Sequence, residues 1–107
     1  MGVAFNTGAA LLDALVLSVT SQEDTYGYKI TQEVRGVMSI SESTLYPVLR
    51  RLQKDGCLEA YDQAYAGRNR RYYRITAQGR QTLEQYRQEW REYEARIHSV
   101  LFKGVES

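Results

Sequence analysis

Five arginines fall in two short runs, Arg50 and Arg51 in "STLYPVLRR" and Arg68, Arg70 and Arg71 in "GRNRR". Guanidinium groups beside hydroxyls suit one chemistry above others, forked hydrogen bonds to phosphate oxygens or to the acceptor edge of guanine. The first run belongs to "SESTLYPVLRRLQKDG", residues 41–56, where Leu45, Val48, Leu49 and Leu52 recur at i, i+3, i+4 and i+7 and mark one core-facing stripe of a helix. The residues turned away from that stripe are Ser43, Thr44, Tyr46, Pro47, Arg50 and Arg51. Their short polar members lie near the N-terminal end, where a helix enters the major groove and where its dipole favours phosphate. Arg50, Arg51 and Tyr46 are expected to position the protein on phosphates, because nothing in these residue types dictates a base.

An arginine pair on one helix is usually solvated surface. The second run changes the reading, because it follows within one short strand. "CLEAYDQAYAGRNRRYYRIT" places Tyr73 and Ile75 on one strand face and Tyr72 and Arg74 on the other. Gly67 and Asn69 supply turn residues, so the segment reads as a hairpin with Arg68, Arg70 and Arg71 at its tip. Charge supports two converging basic elements. Residues 50–74 carry seven basic and three acidic side chains, residues 1–49 two and five, and residues 75–107 five and five.

The elements that position these groups are legible from periodicity. Leu11, Leu12, Leu15 and Val19 give one face of a helix from about residue 7 to 20. Thr25 is a candidate N-cap for a second helix carrying Tyr26, Ile30, Val34 and Val37, with Gly36 expected in the left-handed conformation at its end. Gly27 and Tyr28 stand at its start, where backbone and hydroxyl groups can reach phosphate, while Tyr26 is expected in the core. Ser41 is the N-cap of the third helix and Gly56 its stop; Pro47 inside it removes the bond to the Ser43 carbonyl and costs about 3 kcal/mol or a local bend. Thr76 caps a last helix running to about Phe102.

On that last helix Leu83, Tyr86, Trp90, Tyr93, Ile97 and Val100 follow a 3, 4, 3, 4, 3 spacing, a heptad seam. A helix of about 25 residues is roughly 37 Å long at 1.5 Å per residue, more than three short helices can cover. Its seam therefore calls for a second copy of the chain, and a two-fold pair of reading helices about 34 Å apart calls for an inverted-repeat operator in double-stranded DNA. Trp90 and Tyr93, with Glu94 beside them, are candidates for holding a planar aromatic small-molecule effector on the dyad.

The fold class expected is mainly α with a small β-hairpin: a winged helix-turn-helix DNA-binding domain over residues 1–76, and a long C-terminal dimerisation helix over residues 77–107 that forms one compact unit with the first helix. One histidine, one cysteine, no glycine-rich phosphate loop and no suitably spaced carboxylate pair argue against an enzyme, a metal site and a cofactor. Cys57 is expected as a small packed side chain and His98 as an exposed one. The stretch "MGVAFNTGAALLDALVLSVTS" has no basic leader region and is broken by Asp13, so a cytoplasmic location and no membrane association are expected.

Three blocks, "TYGYKITQEV", "STLYPVLRRLQKDGCL" and "RRYYRITAQGRQTL", occur here in the order in which PadR-family transcriptional regulators carry them, and the chain resembles the short branch of that family with a single C-terminal helix. The resemblance implies a homodimeric repressor released by a small molecule. It implies DNA contact by Ser43, Thr44, Tyr46, Pro47 and Arg50 and by the wing around residues 68–71. "EWREYEARI" places Trp90 and Glu94 where multidrug-sensing members line a pore on the dyad; the departure is the bulk that Tyr86 and Tyr93 add to this seam. A competing reading is a dimeric protein-interaction or small-molecule-binding module that keeps the winged fold without reading DNA. Such a module has no use for five arginines divided between one helix and one hairpin tip.

Overall fold

The computed structural model of the protein describes residues 8–105. Helix α1 (Gly8–Gln22) is followed by the short strand β1 (Thr25–Tyr26), helices α2 (Gly27–Arg35) and α3 (Glu42–Lys54), strands β2 (Leu58–Tyr65) and β3 (Arg68–Ile75), and helix α4 (Ala77–Leu101). The expected start of the first helix at residue 7, and the residues before it, lie outside the described residues. Among the described residues no helix is long and apolar enough to cross a membrane.

The core gathers around α1, which touches α2, α3, β3 and α4. Val16 and Leu17 are fully buried and Leu12 nearly so, whereas Leu11, Leu15 and Val19 of the expected face are only partly covered. This helix is apolar almost all round, so periodicity alone does not settle which stripe is innermost. Ile30 and Val34 of α2 and Leu45, Leu49 and Leu52 of α3 close over it.

The sheet has the order β1-β3-β2 with both pairings antiparallel. Strand β1 was not anticipated; Thr25 pairs with Tyr73 and Tyr26 with Tyr72, so Thr25 is not the cap of α2. That cap is Tyr26, with no side-chain hydrogen bond, and the buried Thr25 hydroxyl has no hydrogen-bond partner among the described residues. Two residues cannot advertise a strand by periodicity; the pairing is created by the neighbouring edge of β3. Gly36 also departs from expectation, remaining right-handed at φ −65° while Val37 swings out to 67% exposure. Arg35 Nε closes the α2–α3 connection by donating to the Ile40 carbonyl at 2.9 Å.

The hairpin turn consists of Ala66 and Gly67, with φ of 53° and 78°. Positive φ at both central residues matches the right-handed twist of the flanking strands. Asn69, expected in this turn, instead lies in β3 opposite Ala64. Tyr73 and Ile75 point into the core as the strand period requires.

The start of α4 is fastened to the end of α3. Thr76 Oγ1 donates to the Gly56 carbonyl at 2.6 Å and accepts from Gly79 N, and Gln78 Nε2 donates to the Asp55 carbonyl at 2.8 Å. Gly79 is required there, since a β-carbon would stand 2.2 Å from the Cys57 carbonyl oxygen. Cys57 itself is buried and reduced.

Candidate nucleic-acid interface

Ser41 Oγ accepts from Thr44 N at 3.3 Å and starts α3 as the sequence leads one to expect. Ser43, Thr44, Tyr46, Pro47 and Arg50 are all exposed on the side opposite Leu45, Leu49 and Leu52. Pro47 lies inside the helix, so the Ser43 carbonyl loses its helical partner on the exposed side of α3. Tyr46 is held in place twice. Its hydroxyl donates to Glu42 Oε1 at 3.0 Å, and its ring covers Gly27 so closely that a β-carbon there would be 2.9 Å from Cε1. The hydrogen bond to Glu42, with burial second, pushes the Tyr46 pKa upward.

A cleft of about 490 Å³ joins the start of α2, the outer side of α3 and the wing, lined by Tyr26, Gly27, Tyr28 and Tyr46 and by Asn69, Arg70, Arg71 and Tyr73. It therefore brings together Gly27, Tyr28, Tyr46, Arg70 and Arg71, five of the residues singled out from sequence. Arg50, Arg68 and Arg70 have no carboxylate partner among the described residues, whereas Arg71 Nε lies 3.8 Å from Asp62. Tyr26 joins this surface instead of the core, and Tyr65 and Asn69 were missed. The signal for Tyr65 was the strand period, which puts it on the same face as Arg70.

Arg51 does not belong to this surface. It reaches back to α1, donating through Nη2 to Asp13, with Nη1 3.9 Å from Asp55. Asp13 is 6% exposed and also accepts from the Tyr86 hydroxyl at 3.2 Å, so one buried carboxylate ties α1, α3 and α4 together. The bond to Asp13 raises the Arg51 pKa, and burial, then the charge of Asp13, push that of Tyr86 up to about 12. On a helical wheel Arg51 stands about 60° from Val48, at the edge of the core-facing stripe. A long side chain at that boundary follows the buried charge.

A second groove of similar size, about 500 Å³, runs between α1 and α2. Its walls carry Glu23, Glu33 and Lys29, with Lys29 paired to Glu23 at 3.4 Å, so it offers phosphate no unpaired cation, and the α2–α3–wing cleft is the candidate interface.

The seam of α4 divides in two. Leu83 and Tyr86 are buried inside their own chain at 3% and 7% exposure, so they are core rather than dimer contacts. Trp90, Ile97 and Val100 are exposed, Tyr93 is half-buried, and Leu101 and Phe102 add further uncovered apolar surface. The Trp90 and Tyr93 rings lie 6.2 Å apart, tilted by 47°, with Glu94 exposed nearby on the same helix. His98 is exposed, its ring 4.6 Å from that of Phe102.

Residues 16–85 match the transcriptional regulator PadR-like family. The chain is 36% identical to smu.1704 from Streptococcus mutans UA159, whose crystal structure superposes with a TM-score of 0.86 over 100% of this chain and 97% of that one. It is 31% identical to a PadR family transcription regulator from Clostridium difficile R20291, TM-score 0.79, over 84% of this chain and 97% of that one. A curated relative, the transcriptional regulator Rv3488 of Mycobacterium tuberculosis, is 38% identical over 73 residues, 67% of this chain and 68% of that protein. A four-helix winged fold with a three-stranded sheet, matched by family over most of its length, identifies this chain as a member of the PadR-like family of DNA-binding transcriptional regulators.

Proposed function

We propose that the protein is a homodimeric, sequence-specific repressor that reads an inverted-repeat operator and is released by a planar aromatic small molecule. The observation that carries this reading is the convergence of α3 and the wing on one cleft, with Arg50, Arg68 and Arg70 unneutralised beside it. In this reading Ser43, Thr44, Tyr46, Pro47 and Arg50 enter the major groove. Gly27, Tyr28, Arg68, Arg70 and Arg71 hold the flanking backbone, and Arg51 acts only as a brace behind the helix.

The uncovered apolar half of α4 supports the dimer. Trp90, Ile97, Val100 and Leu101, with Phe102 at the C-cap, are too many large apolar groups along one helix and its end to be left in water. A partner helix against them sets two copies of α3 about one DNA turn, roughly 34 Å, apart. The Trp90 and Tyr93 rings then offer flat faces near the dyad, and Glu94 favours a cationic ligand.

The test is selection of bound duplexes from a random DNA library with purified protein at about 0.1 M salt, where non-specific phosphate binding is weakened. The expected product is one enriched inverted repeat. Recovery of no motif, with only weak salt-sensitive binding, would overturn sequence-specific reading. A planar cationic dye is expected to quench Trp90 fluorescence; a panel of flat cations and phenolic acids that leaves it unchanged would remove the effector site.

A further inference from the structure

We propose that Tyr65 and Tyr26 are positioning residues for DNA, clamping Arg70 between their rings so that its edge is presented to a backbone phosphate at the mouth of the α2–α3–wing cleft. The proposal rests on the DNA-binding reading above and adds to it two residues and a mechanism. The Arg70 guanidinium carbon lies 4.0 Å from the centroid of the Tyr26 ring and 4.2 Å from that of Tyr65. Both distances are well inside the range of about 6 Å in which a ring face attracts a cation.

The strand register brings the three together. Gln63 faces Arg70 and Tyr65 faces Arg68, so Tyr65 and Arg70 are diagonal neighbours on the outer face of the hairpin. Tyr26 arrives from the other side of β3, opposite Tyr72 on β1. One jaw thus belongs to each strand flanking β3.

The chemical consequence appears by contrast with the other arginines. Arg51 is oriented by Asp13, Arg71 lies beside Asp62, and Arg74 beside Asp24 and Glu59. A carboxylate orients a guanidinium by cancelling its charge and occupying its donors. Two aromatic faces orient it and do neither, because all five N–H groups lie in the guanidinium plane, at right angles to the stacking direction. In the proposed clamp both faces are covered, which leaves no room for Arg70 to stack on a base. Its free direction is edge-on, the geometry of a forked contact to phosphate.

The inner jaw is braced. Tyr26 meets Tyr72 edge to face at 5.5 Å, Tyr72 stacks on Tyr61 at 5.7 Å, and the Tyr61 hydroxyl donates to Asp24 at 2.7 Å. The outer jaw, Tyr65, is 55% exposed beside the hairpin turn, so it can be replaced without opening the core.

The test measures binding of a fluorescein-labelled mixed-sequence duplex of roughly two turns, about 20 base pairs, across a series of salt concentrations. Arg70→Ala should weaken binding and flatten the log–log salt slope by about 0.9. Tyr65→Ala should weaken binding about three- to tenfold, and Tyr65→Phe, which keeps the ring face, should restore it. In the Arg70→Ala background Tyr65→Ala should have no further effect. The clamp is overturned if Tyr65→Ala binds like the parent while Arg70→Ala does not, or if Tyr65→Ala costs the same with and without Arg70. A parent protein that fails to bind the duplex at any salt concentration overturns the DNA-binding reading and the clamp with it.

Discussion

The carboxylate of Asp13 in α1 is capped by the guanidinium of Arg51 in α3, a buried acid meeting a cation whose far side remains in water. Removing the cation leaves a buried charge that accepts from the Tyr86 hydroxyl and has no other cation beside it among the described residues. Arg51→Ala is expected to lower stability by about 2 kcal/mol, discounted from the loss typical of a fully buried pair because Arg51 is half-exposed. Urea unfolding measures this. The variant should keep the parent salt slope for DNA binding, whereas Arg50→Ala should reduce it by about 0.9.

Tyr86 extends the same network and gives it a pH signature. Its folded pKa, about 12, lies above the ordinary value of 10.0, so the folded state holds this proton more tightly than the unfolded chain. The stabilisation is complete below pH 10 and is lost as pH rises through 12. Thermal melts across that window should show the parent losing roughly 2 kcal/mol that Tyr86→Phe does not lose. Parallel curves for the two proteins would contradict the burial-driven shift.

Two glycines make opposite predictions because different atoms face them. At Gly79 a β-carbon meets the Cys57 carbonyl, backbone that cannot step aside, so Gly79→Ala should destabilise by about 3 kcal/mol. At Gly27 it meets the edge of the Tyr46 ring, a side chain that can swing outward once its hydroxyl releases Glu42. Gly27→Ala should cost about 1 kcal/mol or less in chemical denaturation, yet weaken DNA binding by displacing Tyr46 from the cleft.

The division of the α4 seam is also measurable. Leu83→Ala, in the core of its own chain, should cost about 2–4 kcal/mol and lower the melting temperature. Ile97→Asp with Val100→Asp, on the exposed half, should leave the far-ultraviolet spectrum of the chain intact. In analytical ultracentrifugation that variant is expected to sediment as a monomer where the parent sediments as a dimer.

These contrasts mark what a sequence can convey. Regular spacing placed α3 and α4 within a residue or two, because Ser41 and Thr76 announce their caps and Leu45, Leu49 and Leu52 repeat with the helical period. The outward face of α3 followed from the same period. Three features did not follow, for one shared reason. The β1 pairing, the turn of Arg51 towards Asp13 and the internal burial of Leu83 and Tyr86 are decided by segments distant in the chain. The stacked Arg70 combines both kinds of information. Strand alternation would have put Tyr65 on its face, but Tyr26 reaches it only through a strand two residues long.

The junction where Thr76 and Gln78 grip the carbonyls of Gly56 and Asp55 leaves no slack between the end of α3 and the start of α4. Such a joint transmits torque. Helix α4, about 37 Å long at 1.5 Å per residue, is thereby joined to α3 by side-chain bonds as well as by the chain, so a tilt at its far end is expected to move α3 with it. In the proposed dimer, the distance between the two copies of α3 would then be geared to the angle at which the two α4 helices cross.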